Sequence, residues 1–406
     1  MPQNTQPTFA PAFLRLAWSN LAAQSAEQIA LSAASLVAVL VFGTGTGGTG
    51  LLQAAQTLPF LLLSIPAGLL ADRISRPRLL AAAEALRAAS LALILALAGL
   101  GLLNLPLLAL LGFVGTVAYS VATPALVPSI LLREALSAAN GRIELARTTA
   151  FAAGPALGGV LVGWIGASWA FGMATALSLL AVILLSGVRE PTRLKSAPRH
   201  PLAEVREGAA FVFHHPLLRP VFTTQVVFNL AFFALQAAYV PYAVHHLGLE
   251  AFGVGLTLSA YGGGLVLGAL LAARVVAALP FGVVVGIGPL CGLAASLLMV
   301  LTIRLPSPAI AGLAFFLLGA GPVVWVVSTT TLRQTVTPAG LLDRVSALNI
   351  LAYGARPIGA ALAALVGEAY GSEACLVLAA LGFFVQVLVI FGSPVPRLVR
   401  LPAALA

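Results

Sequence analysis

The chain has 406 residues, of which 60% are hydrophobic and 8% are charged, and its formal net charge is +9. A soluble domain carries about a quarter of charged residues, so this composition excludes a soluble globular protein and indicates an integral membrane protein. In a membrane protein the distribution of basic residues determines topology, and we expect no nucleic-acid partner.

Twelve apolar segments are long enough to cross a bilayer, because a hydrocarbon core about 30 Å thick needs about 20 helical residues. They are rich in Leu, Ala, Val and Gly and lack the alternation with period two that membrane barrels show, so each is predicted to be a helix. The segments are 18–42, 50–71, 79–101, 105–131, 145–166, 169–187, 220–244, 252–278, 281–302, 308–331, 346–366 and 374–392.

Most of the 21 Lys and Arg residues lie in the loops on one side of these segments. The positive-inside rule places that side in the cytoplasm, together with both termini, and an even number of crossings agrees with this assignment. We therefore expect a multi-pass protein of the inner, or plasma, membrane. The first segment lacks a preceding basic region and is too long for a signal peptide, so we expect it to remain attached.

The first predicted helix carries a carboxylate, Glu27, near its middle. A charge at the bilayer centre costs roughly 2.5–3.5 kcal/mol on insertion scales, so such a residue faces a cavity, has a partner or is protonated. Asn20, Gln24, Glu27 and Gln28 share one face of the helix. This pattern favours a proton-binding residue beside a wet cavity, with structural hydrogen bonding between helices as the alternative.

The second predicted helix ends in "GLLADRISRPRLL" (68–80). Gly68 allows close helix packing, Asp72 accepts hydrogen bonds, and Arg73 and Arg76 donate them, so the segment is suited to latch two bundles together. The alternative is a basic loop that only fixes topology. Between the first and second helices, "GTGTGGTG" (43–50) follows no strand and is not interpreted as a nucleotide site.

The fifth predicted helix contains "AFAAGPALGG" (150–159). Pro155 removes a helix hydrogen bond, while Gly154, Gly158 and Gly159 permit close packing of backbones, so a pliable hinge is expected. Ordinary packing of small residues is the alternative. Two charged pairs at i and i+3, Glu84 with Arg87 and Glu144 with Arg147, are interpreted as local ion pairs, the first near the cytoplasmic end of the third helix.

The polar segment 189–219 divides the twelve predicted helices into six and six. Leu202, Val205, Ala209 and Val212 recur at helical spacing there, which predicts an amphipathic helix on the membrane surface. Short sequence matches between the halves have nearly one offset and favour a duplicated unit. We predict two pseudo-symmetric six-helix bundles, 1–188 and 220–406, joined by a cytoplasmic linker, 189–219, with a short cytoplasmic tail after the last helix.

The seventh and eleventh predicted helices also carry polar residues. Gln225, Asn229 and Gln236 form a stripe that corresponds to the stripe on the first helix, and facing stripes would line a cavity between the bundles. Arg356 lies within the eleventh helix, three residues after Tyr353. Its guanidinium is open to three interpretations: a pair with Glu27, attraction of an anionic substrate, or part of a gate.

These motifs resemble those of the major facilitator superfamily. "GLLADRISRPRLL" is similar to its motif A, with Ser75 and Pro77 as departures, and "AFAAGPALGG" to its motif C, with Ala150 in place of the first glycine. The segment 119–166, with "EGAAFVFHHPLLRP" and "LLDRVSALNILAYGARPIGAALA", resembles the enterobactin-exporter-like and multidrug efflux group. The resemblance implies export of a small molecule in exchange for protons, without a cofactor or a metal.

The sequence therefore predicts a secondary active transporter, not an enzyme, that exports a drug-like or siderophore-like amphipathic molecule by alternating access. Its expected partners are the substrate, protons and lipid, and we expect a monomer. A polar or cationic substrate and a proton would compete for Glu27. Two alternatives remain: uptake of a nutrient by the same fold, and a receptor or scaffold that does not transport.

Overall fold

The computed structural model describes residues 11–63, 75–117, 136–188 and 201–402, and within these ranges the regular structure is helical, with no β-strand. The first half contains α1 (Pro11–Leu40), α2 (Thr46–Leu62), α3 (Arg76–Gly99), α4 (Leu105–Val117), α5 (Leu136–Val160) and α6 (Ala167–Ser186). The rest contains α7 (Pro201–His214), α8 (Leu218–His245), α9 (Ala251–Ala278), α10 (Phe281–Leu301), α11 (Pro308–Val336), α12 (Leu342–Leu351) and α13 (Ala355–Phe391).

Nine helices in the described ranges are long and apolar enough to cross a membrane. One of them, Ala352–Phe391, has 40 residues, or about 60 Å of helix, which is twice the bilayer core. Gly371 breaks it with a φ of 84°, so it supplies two of the predicted crossings. The helices α2 and α4 are shorter, and the apolar segments predicted for them continue into 64–74 and 118–135, outside the described residues. The prediction of an all-helical membrane protein is confirmed.

The two halves repeat one packing pattern. In the first half α1 packs on α5 and α6, α2 on α4, and α3 on α4 and α6; in the second half α8 packs on α13, α9 on α11, and α10 on α11 and α13. The halves meet where α2 packs on α13 and α8, and where α5 packs on α9. The pairings of helices in the first half therefore recur in the second half, while the two-bundle division itself stays a prediction.

Glycines bring the halves together at the end of the molecule where α1 ends. A Cβ added at Gly50 would lie 2.7 Å from the Ala364 backbone. The hydroxyls of Thr46 and Ser372 are 2.6 Å apart, and Thr49 donates to the Ala237 carbonyl at 2.9 Å. The glycine-rich run of the sequence therefore serves the contact between the halves.

The predicted amphipathic helix is present as α7, and part of its apolar face packs on protein. Val212 is 3% exposed and belongs to one apolar cluster with Val345 and Leu348 of α12. Glu207 and Arg344 form an ion pair of 2.5 Å between the same two helices. Protein therefore covers at least this part of the face that we expected to lie on the membrane.

Candidate functional site

A buried cluster of three charged residues joins α1 to α3. Arg87 of α3 donates from Nη2 to Glu27 at 3.4 Å and from Nη1 to both oxygens of Glu84 at 3.0 and 3.2 Å. The side chains are 5% exposed for Arg87, 8% for Glu84 and 14% for Glu27. We call these three residues the charged triad.

Arg87 is held in place by backbone oxygens as well as by carboxylates. Its Nε donates to the Gly115 carbonyl of α4 and its Nη1 to the Ala23 carbonyl of α1, each at 3.2 Å. A guanidinium presents its donors in a rigid planar fork, so these bonds fix the orientation of the cation between the two carboxylates. The arrangement places one positive and two negative groups among three apolar helices.

A small, partly open cavity lies beside the charged triad. Glu27 and Arg87 line it, whereas Glu84 does not. Gln56 of α2, Ser90 of α3 and Thr116 of α4 add polar groups to walls that are otherwise mostly apolar. The cavity therefore lies inside the first half, bounded mainly by α1, α2, α3 and α4, and Glu27 is the carboxylate that faces it.

Arg356 lies in a box of three aromatic rings between the halves. Its guanidinium carbon is 4.2 Å from the ring centroid of Tyr353, 4.7 Å from that of Phe60 and 5.1 Å from that of Phe233. Its Nε donates to Asn229 Oδ1 at 3.1 Å. Phe60 belongs to α2 and Phe233 to α8, so the box has walls from both halves.

Further aromatic rings continue from this box towards α5. Phe233 packs edge-on against Phe232, and Phe232 lies 5.4 Å from Tyr261, between ring centroids. The ring centroid of Tyr261 in turn lies 6.1 Å from that of Phe151. The guanidinium carbon of Arg147 lies 5.3 Å from the ring centroid of Phe151. The rings thus form a packed aromatic band between the halves with a guanidinium at each end, and Phe232 in its middle belongs to the buried apolar core.

The structure separates the predicted polar stripe of α1. Gln28 packs against Gly154 of α5, so it faces away from the triad. Asn20 and Gln24 are buried, and their side-chain oxygens have no hydrogen-bond partner among the described residues.

On α8, Asn229 donates to the Gln225 carbonyl at 2.9 Å and is bound by Arg356, whereas Gln236 is half-buried. The predicted residues Asn229, Tyr353 and Arg356 therefore come together, but in contact with aromatic rings rather than with Glu27.

The motif at 154–159 lies where α5 meets both α1 and α9. Gly158 packs on Ser32, whose hydroxyl donates to the Pro155 carbonyl at 3.3 Å. Gly159 lies against the backbone of Ala251. Each half thus contributes to this contact, and the hinge role of the motif stays a prediction.

The motif at 68–80 lies largely outside the described residues, which include neither Gly68, Asp72 nor Arg73. Arg76 is the first residue of α3, and nothing is described of its side chain. Its predicted role as a latch therefore stays a prediction. In the described ranges no group of three or more His, Cys, Asp or Glu residues is placed to hold a metal ion.

The sequence interpretation of Glu84 and Arg87 was incomplete. They do form the expected ion pair, but Arg87 also binds Glu27, so the pair belongs to the main charged site. The sequence could have indicated this contact. The first and third predicted segments begin on the same side of the membrane, so Glu27 and Arg87 are expected at similar depths. Nothing comparable pointed to Phe60 and Phe233, since phenylalanines in apolar helices have no distinctive pattern.

Comparison with known proteins agrees with this architecture. The family described as "Transmembrane secretion effector" matches residues 9–402. The multidrug efflux pump Tap of Mycobacterium tuberculosis is 27% identical over 409 residues, which cover 95% of this chain and 94% of that protein.

Two solved structures show the same fold. The nucleoside transporter NupG has a TM-score of 0.73 at 13% identity, with 94% of this chain and 98% of that chain covered. A bacterial homologue of the iron transporter ferroportin, in an inward-facing state, has a TM-score of 0.71 at 16% identity, with 93% and 98% covered.

Proposed function

The chain belongs to the transmembrane secretion effector family of major facilitator transporters, and we propose that it exports a small amphipathic molecule in exchange for protons. Membership makes it a multi-pass membrane transporter for small molecules. The family and the similarity to a multidrug efflux pump point to efflux. The observation that carries the proton part of the proposal is the buried carboxylate Glu27, which shares Arg87 with a second carboxylate beside a partly polar cavity.

The substrate is proposed to bind between the halves, along the aromatic band. Phe60, Phe233 and Tyr353 supply flat apolar contacts, and Asn229 and Arg356 supply polar ones. Amphipathic molecules such as drugs or siderophores combine these two kinds of surface. This site is separate from the cavity that Glu27 faces, so substrate and proton need not touch the same atoms.

Arg356 provides an electrostatic link between the two sites. Its guanidinium contacts Asn229 and the aromatic box, and its charge influences Glu27 less than that of Arg87 does. An ionised Glu27 attracts the guanidinium out of the box, and a protonated Glu27 releases it to return. A substrate that occupies the vacated box therefore binds one protonation state more tightly than the other, and by linkage the proton opposes substrate binding.

Alternating access supplies the rest of the cycle. Glu27 belongs to the first half and Arg356 to the second, so a rocking motion of the halves changes the distance between them. Protons then enter from one side as substrate leaves towards it. In this proposal the protein is a monomer of the inner membrane with both termini in the cytoplasm, in agreement with the distribution of its basic residues.

The test is transport by purified protein in lipid vesicles with an imposed pH gradient. The probe is rhodamine 123, an amphipathic cationic dye. Wild-type protein should accumulate the dye against its gradient, Glu27→Gln should lose pH-driven accumulation, and Glu250→Gln should retain it, because Glu250 is exposed in the loop before α9. Full pH-driven transport by Glu27→Gln would refute the proposal.

A further inference from the structure

We infer that Glu84 shares the transported proton with Glu27, so that the proton-binding unit is the whole charged triad rather than Glu27 alone. The inference rests on the proposed function in one respect, which is that this proton is the one exchanged for substrate. The geometry itself is independent of transport: both carboxylates contact one guanidinium, at 3.0 Å for Glu84 and 3.4 Å for Glu27.

The charges of the triad do not balance. Arg87 can neutralise one carboxylate, and the second then leaves a net negative charge among α1, α3 and α4. An uncompensated charge away from water is costly and is removed most simply by a proton. When two carboxylates interact this strongly, the proton belongs to the pair and not to either residue.

No charged side chain other than Arg87 contacts Glu27 or Glu84 in the described residues. The helices α2, α4 and α6 carry no charged residue at all. On α5, Glu144 and Arg147 pair with each other at 2.5 Å. Arg15 of α1 donates to the Gly187 carbonyl instead. Arg356 lies on the other half in its aromatic box and donates to Asn229. Since no second cation contacts either carboxylate in the described part of the chain, we assign the missing positive charge to a proton within the triad.

Gln56 indicates how the proton reaches the triad. This side chain is 4% exposed, packs against Gly112 of α4 and lines the cavity that Glu27 and Arg87 face. An amide on the wall of a cavity can hydrogen-bond to water that enters the cavity. Glu27 is thus the carboxylate that exchanges protons with the cavity, and Glu84, behind Arg87, is the one that holds the charge when Glu27 is neutral.

A proton shared by Glu27 and Glu84 leads to a different prediction from a proton bound by Glu27 alone. If Glu84 becomes Gln, the remaining Glu27 and Arg87 form a balanced pair, and Glu27 stays ionised near neutral pH. If Glu27 becomes Gln, Glu84 and Arg87 form the balanced pair. Either substitution should therefore abolish the buried protonated carboxyl, although each leaves one carboxylate in place.

Infrared spectroscopy of purified protein in detergent near neutral pH tests this directly, because a protonated carboxyl has its own C=O stretching band. Wild type and Glu250→Gln should both show the band of a buried acid, and Glu27→Gln and Glu84→Gln should both lack it. An undiminished band in Glu84→Gln would overturn the inference, as would its absence from the wild type.

A second variant covers the case in which Glu84→Gln does not fold. Glu84→Asp keeps the carboxylate on a shorter side chain, so a shared proton should shift the position of the band, whereas a proton held by Glu27 alone should leave it unchanged. Neither spectrum requires transport. A wild type that shows the shared band yet moves no dye under a pH gradient would refute the proposed function and leave the inference standing.

Discussion

Replacement of Arg87 by leucine should destabilise the protein strongly. The substitution leaves the carboxylates of Glu27 and Glu84 without their cation and removes the bonds from Arg87 to the carbonyls of Ala23 and Gly115. Removal of one partner of a buried ion pair costs about 3–5 kcal/mol. The loss should be smaller in acid, because protons then neutralise both carboxylates.

The measurement is the free energy of unfolding in mixed detergent micelles, by titration with a denaturing detergent. Arg304→Leu is the matched control, since Arg304 is exposed and surface changes usually stay within about 0.5 kcal/mol. The triple variant Glu27→Gln/Glu84→Gln/Arg87→Leu should recover much of the loss, because a neutral cluster carries no unpaired charge. A cost below about 1 kcal/mol for Arg87→Leu, or no recovery in the triple variant, would refute this reasoning.

Three further predictions concern the contact between the halves, the aromatic box and the start of α8. Cysteines at Thr46 and Ser372, with the native cysteines replaced by alanine, should form a disulfide that stops dye transport until it is reduced, because the two hydroxyls are 2.6 Å apart; transport that continues in the oxidised protein would count against a moving contact. Arg356→Gln should bind rhodamine 123 with the same affinity at acid and alkaline pH, whereas the affinity of the wild type should fall in acid. Equilibrium dialysis measures both affinities. If the affinity of Arg356→Gln depends on pH as strongly as that of the wild type, Arg356 does not link Glu27 to the substrate. Burial lowers the pKa of His215, and its Nδ1 accepts the backbone N–H groups that begin α8. Its contribution to stability is therefore present above the unfolded-state pKa of about 6.5 and is lost as the pH falls below it. In thermal melts His215→Gln should lose less stability on acidification than wild type, and equal losses would contradict the assignment.

The helices were predictable from the sequence because a bilayer imposes a strong length requirement on apolar segments. The division into two bundles of six helices stays a prediction, and α1–α6 and α8–α13 show similar pairings of helices. The helix at Pro201–His214 followed from apolar spacing alone. Spacing does not specify what covers an apolar face, so the contact of Val212 with α12 was not foreseen.

The candidate site was predictable only in part. Glu27 was recognisable from the sequence because a charge inside the bilayer is costly in free energy. Which partner neutralises it depends on the rotation of α1 and α3 about their axes, and periodicity does not fix that rotation. Gln28 shows the same limit, because it shares the stripe of Glu27 yet packs on Gly154. The aromatic box of Arg356 combines Phe60 with Phe233, which are distant in sequence and come together only when the halves assemble.

Exchange of substrate for protons is the central claim, and proton movement driven by substrate alone tests it most directly. Vesicles containing the protein and an internal pH indicator start with equal pH on both sides, and rhodamine 123 is then added outside. The account predicts that dye entry drives protons out, so the interior becomes alkaline with wild type and Glu250→Gln and stays unchanged with Glu27→Gln. Acidification of the interior as the dye enters, or alkalinisation of equal size with Glu27→Gln, would contradict it.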